Sequence, residues 1–83
     1  MPDKLHLTFS TTAGDVEDDF PANQPLHATK RAVMGRLKLD PAKADDFVVT
    51  LGGNILDESK ALGALGITDR SILIIERRDV TKI

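Results

Sequence analysis

The chain has no cysteine, and this absence removes a large class of chemistry. Its 83 residues also include no Trp and no Tyr, and only three Phe. Without thiols the chain forms no disulfide, zinc–thiolate site, iron–sulfur cluster or thiol nucleophile. A chain free of cysteine also suits a reducing compartment, and we expect a cytoplasmic protein.

A strong excess of charge and a long apolar run are also missing. Eleven basic residues stand against 13 acidic ones, for a net charge of −2. This balance gives no argument for nucleic acid or for an anionic membrane. The longest apolar run covers residues 72–75, far short of the ~20 residues of a membrane span, and no apolar signal segment opens the chain. We therefore expect a soluble protein without a membrane partner.

The composition that remains is that of one globular domain. The apolar fraction is 41% and the charged fraction 29%, which are ordinary values for a folded chain. A domain of this size buries a modest core and has no room for a deep substrate pocket. We expect a single domain over residues 1–83, with its core at about 4–77 and a flexible tail at 78–83.

Two blocks of alternating apolar residues open the chain and predict a β-hairpin. Leu5, Leu7 and Phe9 alternate with polar residues, which is the period of a half-buried strand. Gly14 supplies the positive φ that a tight hairpin turn needs. The alternation resumes over residues 16–20, where it predicts the second strand.

Asp18 interrupts the apolar face of that second strand. Strict alternation puts Asp18 on the same side as Val16 and Phe20, where an unpaired buried carboxylate is costly. Two solutions remain open: a β-bulge that turns Asp18 outward, or a strand end that is wet. We favour the bulge.

A helix is predicted next, over residues 26–38. Residues 21–25 contain two prolines that break the strand, and Asn23 is a suitable N-cap. Asp40-Pro41 prevents the helix from continuing. The apolar stripe at helical spacing consists of Leu26, Val33 and Leu37.

Strand-like blocks return in the second half. Alternation over residues 47–51 predicts a third strand, which Gly52-Gly53-Asn54 ends in a turn before the short strand Ile55-Leu56. A single helical turn follows over residues 62–67. The continuous aliphatic run in residues 72–77 predicts a central last strand. The fold class is therefore α+β, with a mixed sheet of four to five strands on one helix in ββαββ order.

This order of elements resembles the ubiquitin-like (β-grasp) superfamily. The matching features are the Gly14 hairpin, the helix after a proline-bearing loop, Gly52-Gly53-Asn54 before the short strand, and Ser71-Ile72-Leu73-Ile74-Ile75. None of them is a catalytic signature. The chain also resembles the small prokaryotic ubiquitin-like proteins, some associated with specialised secretion systems, that lack a terminal Gly-Gly.

The end of the chain departs from the covalent modifiers and sulfur carriers of that superfamily. Those proteins end in Gly-Gly, whose thin carboxylate end enters an activating enzyme. This chain ends in Thr81-Lys82-Ile83, and its only Gly-Gly pair lies in a predicted turn. We expect a protein that is not conjugated, and a covalent modifier or sulfur carrier is kept as the disfavoured alternative.

The resemblance also indicates where a partner would dock. In ubiquitin, aliphatic residues on the third and fifth strands form the surface that receptors bind, and Thr50 and Glu76 occupy those positions here, so ubiquitin receptors are not expected to bind. Alternation instead places Val48 and Ile74 on the outer face of the sheet, and it allows Ile72 there too. The predicted protein-binding residues are Val48, Thr50, Ile74, Glu76 and His6.

The helix offers a second docking surface, and the sequence does not decide between the two. The helix is locally basic, with His27, Arg31 and Lys38 on one stripe, and this predicts, as a further alternative, weak nucleic-acid binding, although aromatic stacking residues are lacking. Another side carries small residues. The basic residues are His27, Lys30, Arg31, Arg36 and Lys38, and the small ones are Ala28, Ala32 and Gly35.

No arrangement of residues predicts catalysis or a bound metal. Neither His6 nor His27 has a second ligand at metal spacing, and no nucleophile, phosphate loop or zinc-protease motif is present. The acidic run from Asp15 to Asp19 lacks the spacing of a calcium loop and is interpreted as a solvated strand edge. We expect a non-enzymatic protein–protein interaction module without a cofactor, either a monomer or a weak oligomer, whose partner the sequence does not identify.

Overall fold

The computed structural model describes residues 4–77, which form one mixed sheet packed on one helix. The predicted flexible tail at 78–83 lies outside the described residues. Two 3₁₀ segments, Pro41–Asp46 and Gly63–Leu65, lie in the connections. The regular elements are β1 (Lys4–Thr11), β2 (Gly14–Pro21), α1 (Leu26–Arg36), β3 (Phe47–Leu51), β4 (Asn54–Ile55) and β5 (Ile72–Arg77).

The five strands are arranged in the order β2-β1-β5-β3-β4. β1 and β5 pair in parallel, whereas the other three pairs are antiparallel. Parallel neighbours need a long crossover between them, and the segment containing α1 lies within that crossover. The predicted α+β class and the central position of β5 are confirmed.

The core lies between the sheet and α1, where the alternating residues of each strand meet the helical stripe. Phe9 and Phe20 pack edge to face, with ring centroids 5.2 Å apart, a favourable geometry for aromatic pairs. Leu37 follows the last helical residue and is only half-buried. The buried core consists of Leu5, Leu7, Phe9, Val16, Phe20, Leu26, Val33, Val49, Leu62, Ile67, Leu73 and Ile75.

The N-terminus of α1 differs from the prediction. The N-cap is Pro25, without a capping side chain, and Asn23 is exposed outside the helix. The first helical amides are satisfied from elsewhere, since the N–H groups of Leu26 and His27 donate to the carbonyls of Lys60 and Glu58. A helix whose first donors already have partners needs no side-chain cap. The helix also ends at Arg36, before the predicted Lys38.

The bulge predicted at Asp18 is absent. β1 and β2 pair without interruption from Lys4↔Pro21 to Thr11↔Gly14, and Asp18 lies opposite Leu7 on the side that faces the helix. The carboxylate is nevertheless exposed, and its Oδ2 accepts a hydrogen bond of 2.6 Å from Nη1 of Arg36. The backbone N–H of Asp19 and then Arg36 hold the pKa of Asp18 below its ordinary value. The wet strand end was therefore the correct alternative.

The turn between β3 and β4 takes the conformation that its glycines permit. Gly52 and Gly53 have φ of +60° and +84°, and they connect the paired residues Leu51 and Asn54. Two successive positive φ values characterise the two-residue turn that matches the twist of a hairpin. The predicted turn is confirmed, and it brings β4 alongside β3.

Candidate protein-binding surface

The outer face of the sheet, defined as the face opposite α1, carries two exposed isoleucines in its centre. Leu73 and Ile75 of β5 are buried, whereas the alternate residues Ile72 and Ile74 are 63% and 47% exposed. We call Ile72 and Ile74 the aliphatic row. Within residues 4–77 the only other exposed large aliphatic side chain is Ile55, at 58%.

Short polar residues on the neighbouring strands border the aliphatic row. On β1, Thr8 is paired with Ile72 and Ser10 with Ile74. On the other side, Thr50 of β3 is paired with Ile74 and with Ile55 of β4. The structure thus brings the predicted site residues Ile74 and Thr50 together and adds Ile72, whose place in the row follows from the alternation along β5.

The expectation that Val48 is exposed is wrong. Val48 is only 1% exposed, and Thr50 on the same strand is 6% exposed. Val48 lies opposite Glu76 and diagonally from Ile74. The valine side chain is shorter than those of Glu76 and Ile74. Both of these neighbours lie within reach of it across the antiparallel pair. Val48 therefore offers a partner little apolar surface, although Ile74 beside it does.

His6 is fixed on the outer face by contacts from two other parts of the chain. Its Nε2 lies 2.7 Å from Oε2 of Glu17, and its Nδ1 lies 2.8 Å from Oδ1 of Asp19. The backbone N–H of His6 donates to Asp69, and its carbonyl accepts from the N–H of Arg70. The hydrogen bonds with Glu17 and then Asp19 raise the pKa of His6 above its ordinary value, because they favour the protonated ring.

A shallow open hollow of about 510 Å³ lies between His6 and the aliphatic row. Its walls combine an isoleucine, a hydroxyl and groups of both charges. The residues that line the hollow are His6, Thr8, Glu17, Asp69, Arg70 and Ile72.

An acidic stripe borders the polar residues of β1 on their other side. The stripe consists of Asp15, Glu17 and Asp19 of β2, which are all exposed and are paired with the outer-face residues of β1. The outer face therefore changes from acidic on β2, through polar on β1, to aliphatic on β5. The sequence showed the acidic run, but only the strand order places it beside β5.

Two of the five residues that make the predicted helix basic are paired with carboxylates, and a third lies beyond the end of α1. Lys30 is 1% exposed; its Nζ donates to the Phe47 carbonyl at 2.9 Å and forms an ion pair with Glu58. Arg36 pairs with Asp18, and Lys38 lies beyond the helix with a φ of +62°. Of the five predicted basic residues, only His27 and Arg31 remain on the exposed surface of α1 without a carboxylate partner among the described residues.

The described residues show no site for a metal and no membrane-spanning helix. Between residues 4 and 77, no group of three or more histidine or acidic side chains has an arrangement that would hold a metal ion. The one α-helix found in this part of the chain is too short and too polar to cross a bilayer.

Comparison with protein-family models gave no match, and comparison with curated protein sequences gave none either. Solved structures, in contrast, match most of the chain. The ubiquitin of Caldiarchaeum subterraneum has a TM-score of 0.75 at 22% identity, over 90% of this chain and 94% of its own. A protein designed on the basis of ubiquitin has a TM-score of 0.78 at 19% identity, over 94% and 93%.

A third similar structure is described as molecular mimicry of SUMO that promotes DNA repair. Its TM-score is 0.83 at 10% identity, over 92% of this chain and 94% of its own. At such low identity these likenesses bear on the fold and not on the activity of any one relative. Together with the strand order and the single packed helix, they show that this chain has the ubiquitin-like β-grasp fold.

Proposed function

We propose that this chain is a protein–protein interaction module that docks its partner on the outer face of the sheet. The observation that carries the proposal is the exposure of Ile72 and Ile74, 63% and 47%, on a strand in the interior of the sheet. Adjacent exposed aliphatic side chains rimmed by polar residues are typical of interaction sites. Burying these two side chains against a partner removes their apolar surface from water, which favours binding.

The surroundings of the aliphatic row suit an interface. A protein–protein contact has an apolar centre and a polar rim, and here Thr8 and Ser10 supply hydroxyls next to the two isoleucines. Thr50 is paired with Ile74 but, at 6% exposed, contributes little to this rim. His6 and Glu76 extend this rim. The patch is small, and we therefore expect a contact of standard size or below, formed transiently by a monomer.

This role requires no catalytic group and no cofactor. The hollow beside Ile72 is open to solvent, whereas substrate sites enclose most of a ligand. The ubiquitin-like fold that the chain shares with the solved structures is generally non-enzymatic. A binding function is therefore favoured over catalysis.

The test is the variant Ile74→Asp, used as bait in extracts of the protein's own host. A carboxylate in the centre of the apolar contact would be desolvated without a partner, so we expect loss of the proteins that the wild type captures. Because Ile74 is 47% exposed, the variant should keep the wild-type circular dichroism spectrum and melt within a few degrees of it.

The matched control is Ala32→Asp, which introduces the same charge at an exposed position of α1. It should capture the same proteins as the wild type. If Ile74→Asp captured the same proteins as the wild type, or if only Ala32→Asp lost them, the docking site would have to lie on a surface other than the outer face of the sheet.

A further inference from the structure

The acidic stripe and the aliphatic row lie level with each other across the sheet. Thr8 is paired with Glu17 on one side and with Ile72 on the other, and Ser10 is paired in the same way with Asp15 and Ile74. Each isoleucine is therefore level with one carboxylate that lies two strands away. Neighbouring strands lie ~4.8 Å apart, so this separation is ~10 Å.

That separation matches the width of an α-helix. A helix with its side chains is ~10–12 Å across. A helix lying along β1 would put one edge of its surface over Ile72 and Ile74 and the opposite edge over Asp15 and Glu17. The side chains of β1 beneath it are Thr8 and Ser10, which are short enough to admit it.

An added strand does not fit this position. β1 and β5 both have hydrogen-bonded neighbours on either side, and strand addition needs a free edge. In the described sheet the free edges belong to β2 and β4, away from the aliphatic row. A partner that covers Ile72 and Ile74 must therefore rest on the face of the sheet.

The negative charge of the acidic stripe favours a partner that carries positive charge. Glu17 and Asp19 share one histidine, His6, and Asp15 has no ion pair among the described residues. Within the stripe, three carboxylates stand against at most one imidazolium, which leaves a net negative charge of at least two. Asp69 and Arg70, which line the neighbouring hollow, add one charge of each sign and leave this balance unchanged. Lysine and arginine side chains would meet opposite charge there, whereas acidic ones would be repelled.

We propose that the occupant of the outer face is a basic amphipathic helix of a partner protein, with apolar side chains on Ile72 and Ile74 and lysine or arginine side chains over Asp15 and Glu17. This inference rests on the proposed function and adds the chemistry of the partner. The opposite charge pattern on a helix would be rejected by the same stripe.

The test uses three synthetic helical peptides of roughly 18 residues, about five turns. All three carry the same leucine stripe, and the positions flanking it are lysine, glutamine or glutamate. Each is titrated into the ¹⁵N-labelled full chain. We expect the lysine peptide to shift the amides of β1, β2 and β5 and to bind about tenfold more tightly than the glutamine peptide, because two or three surface ion pairs sum to that factor.

Variants of the stripe locate the effect. The double variant Asp15→Asn with Glu17→Gln should reduce the preference for lysine over glutamine to about twofold or less. Asp46→Asn removes one exposed carboxylate from the 3₁₀ segment instead, and it should keep the full preference.

The remaining outcomes separate this inference from the proposed function. Tighter binding of the glutamate peptide to the outer face, or equal binding of all three, overturns the basic helix but leaves the docking surface. If no peptide shifts the outer-face amides while host proteins are still captured in an Ile74-dependent way, the basic helix is again wrong and the proposed function stands. Failure of both experiments removes both.

Discussion

Lys30 is a cation in the interior of a small domain. Its position, four residues after Leu26 and three before Val33, puts it on the buried side of α1, since residues at these spacings share a helix face. The ammonium is accommodated because Glu58 and the Phe47 carbonyl accept from it. No buried side-chain polar atom in the described part of the chain lacks a hydrogen-bond partner.

We expect Lys30→Ala to lower the free energy of unfolding by about 3 kcal/mol, as breaking a buried ion pair does. The substitution removes the packed stem and leaves Glu58, 19% exposed, without its cation. Urea denaturation followed by circular dichroism measures the loss.

Two further variants separate charge from packing. Lys30→Met combined with Glu58→Gln retains the apolar stem without the charges and should be more stable than Lys30→Ala. Arg31→Ala, at the adjacent exposed position, should change the free energy of unfolding by less than about 0.5 kcal/mol. A loss at Lys30 no larger than that at Arg31 would show that the buried pair contributes nothing.

β3 and β5 are neighbouring strands with similar sequences and different outer faces. On β5, Ile72 and Ile74 are flanked on β1 by short Thr8 and Ser10, and they stand above these neighbours. On β3, Val48 is the shorter member beside Glu76. The exposure of a side chain on a sheet thus depends on the relative lengths of the side chains across the register, and not on its own strand alone.

The two strands should therefore respond differently to truncation. We expect Val48→Ala to lower the free energy of unfolding by about 1.5 kcal/mol, the contribution of two buried methyl groups. Ile72→Ala removes atoms that are largely in water and should cost less than about 0.5 kcal/mol. Thermal or urea denaturation measures both.

Binding should show the reverse order. Ile72→Ala should weaken binding of the lysine-flanked peptide, and Val48→Ala should leave it within about twofold at a temperature where both variants are folded. A binding defect at Val48 as large as that at Ile72 would contradict the assignment of the contact surface to β5.

The stability of the whole molecule should depend on pH through exposed groups with opposite shifts. The hydrogen bonds with Glu17 and Asp19 raise the pKa of His6 above 6.5 in the folded protein. The contribution of His6 to folding stability is therefore complete below pH 6.5 and is lost as the pH rises through its pKa in the folded state. The pKa values of Asp18 and Asp57 are lowered from 3.8, that of Asp57 by the hydroxyl and N–H of Ser59. Their contributions are complete above 3.8 and are lost as the pH falls.

We therefore expect these three groups to contribute fully between pH 3.8 and pH 6.5. Urea midpoints measured from about pH 3 to about pH 9 test this window. His6→Gln should flatten the decline on the alkaline side and leave the acid side unchanged, whereas Asp18→Asn should reduce the decline on the acid side only. An alkaline decline that persists unchanged in His6→Gln would assign it to another group.

Local patterns in the chain predicted the order of the elements, and the resemblance of that order to the ubiquitin-like superfamily predicted the fold. Alternation, the Gly14 and Gly52-Gly53 turns and the helical stripe act over a few residues, and they predicted the strands, the helix and the central β5. The candidate surface was predicted only in part: by register Val48, Thr50, Ile74, Glu76 and His6 all lie on the outer face, but Val48 and Thr50 are buried there. That the chain is not conjugated, and which residues a partner contacts, remain predictions.

The tertiary structure alone decided which distant parts of the chain lie next to each other. The carbonyls of Lys60 and Glu58 satisfy the first amides of α1, which made Asn23 unnecessary as a cap, and Arg36 reaches Asp18, which made a bulge unnecessary. The parallel pairing of β1 with β5 sets the acidic stripe two strands from the aliphatic row. No periodicity in the sequence encodes this neighbourhood, because it arises only when the long crossover closes and residues far apart in the chain share one face.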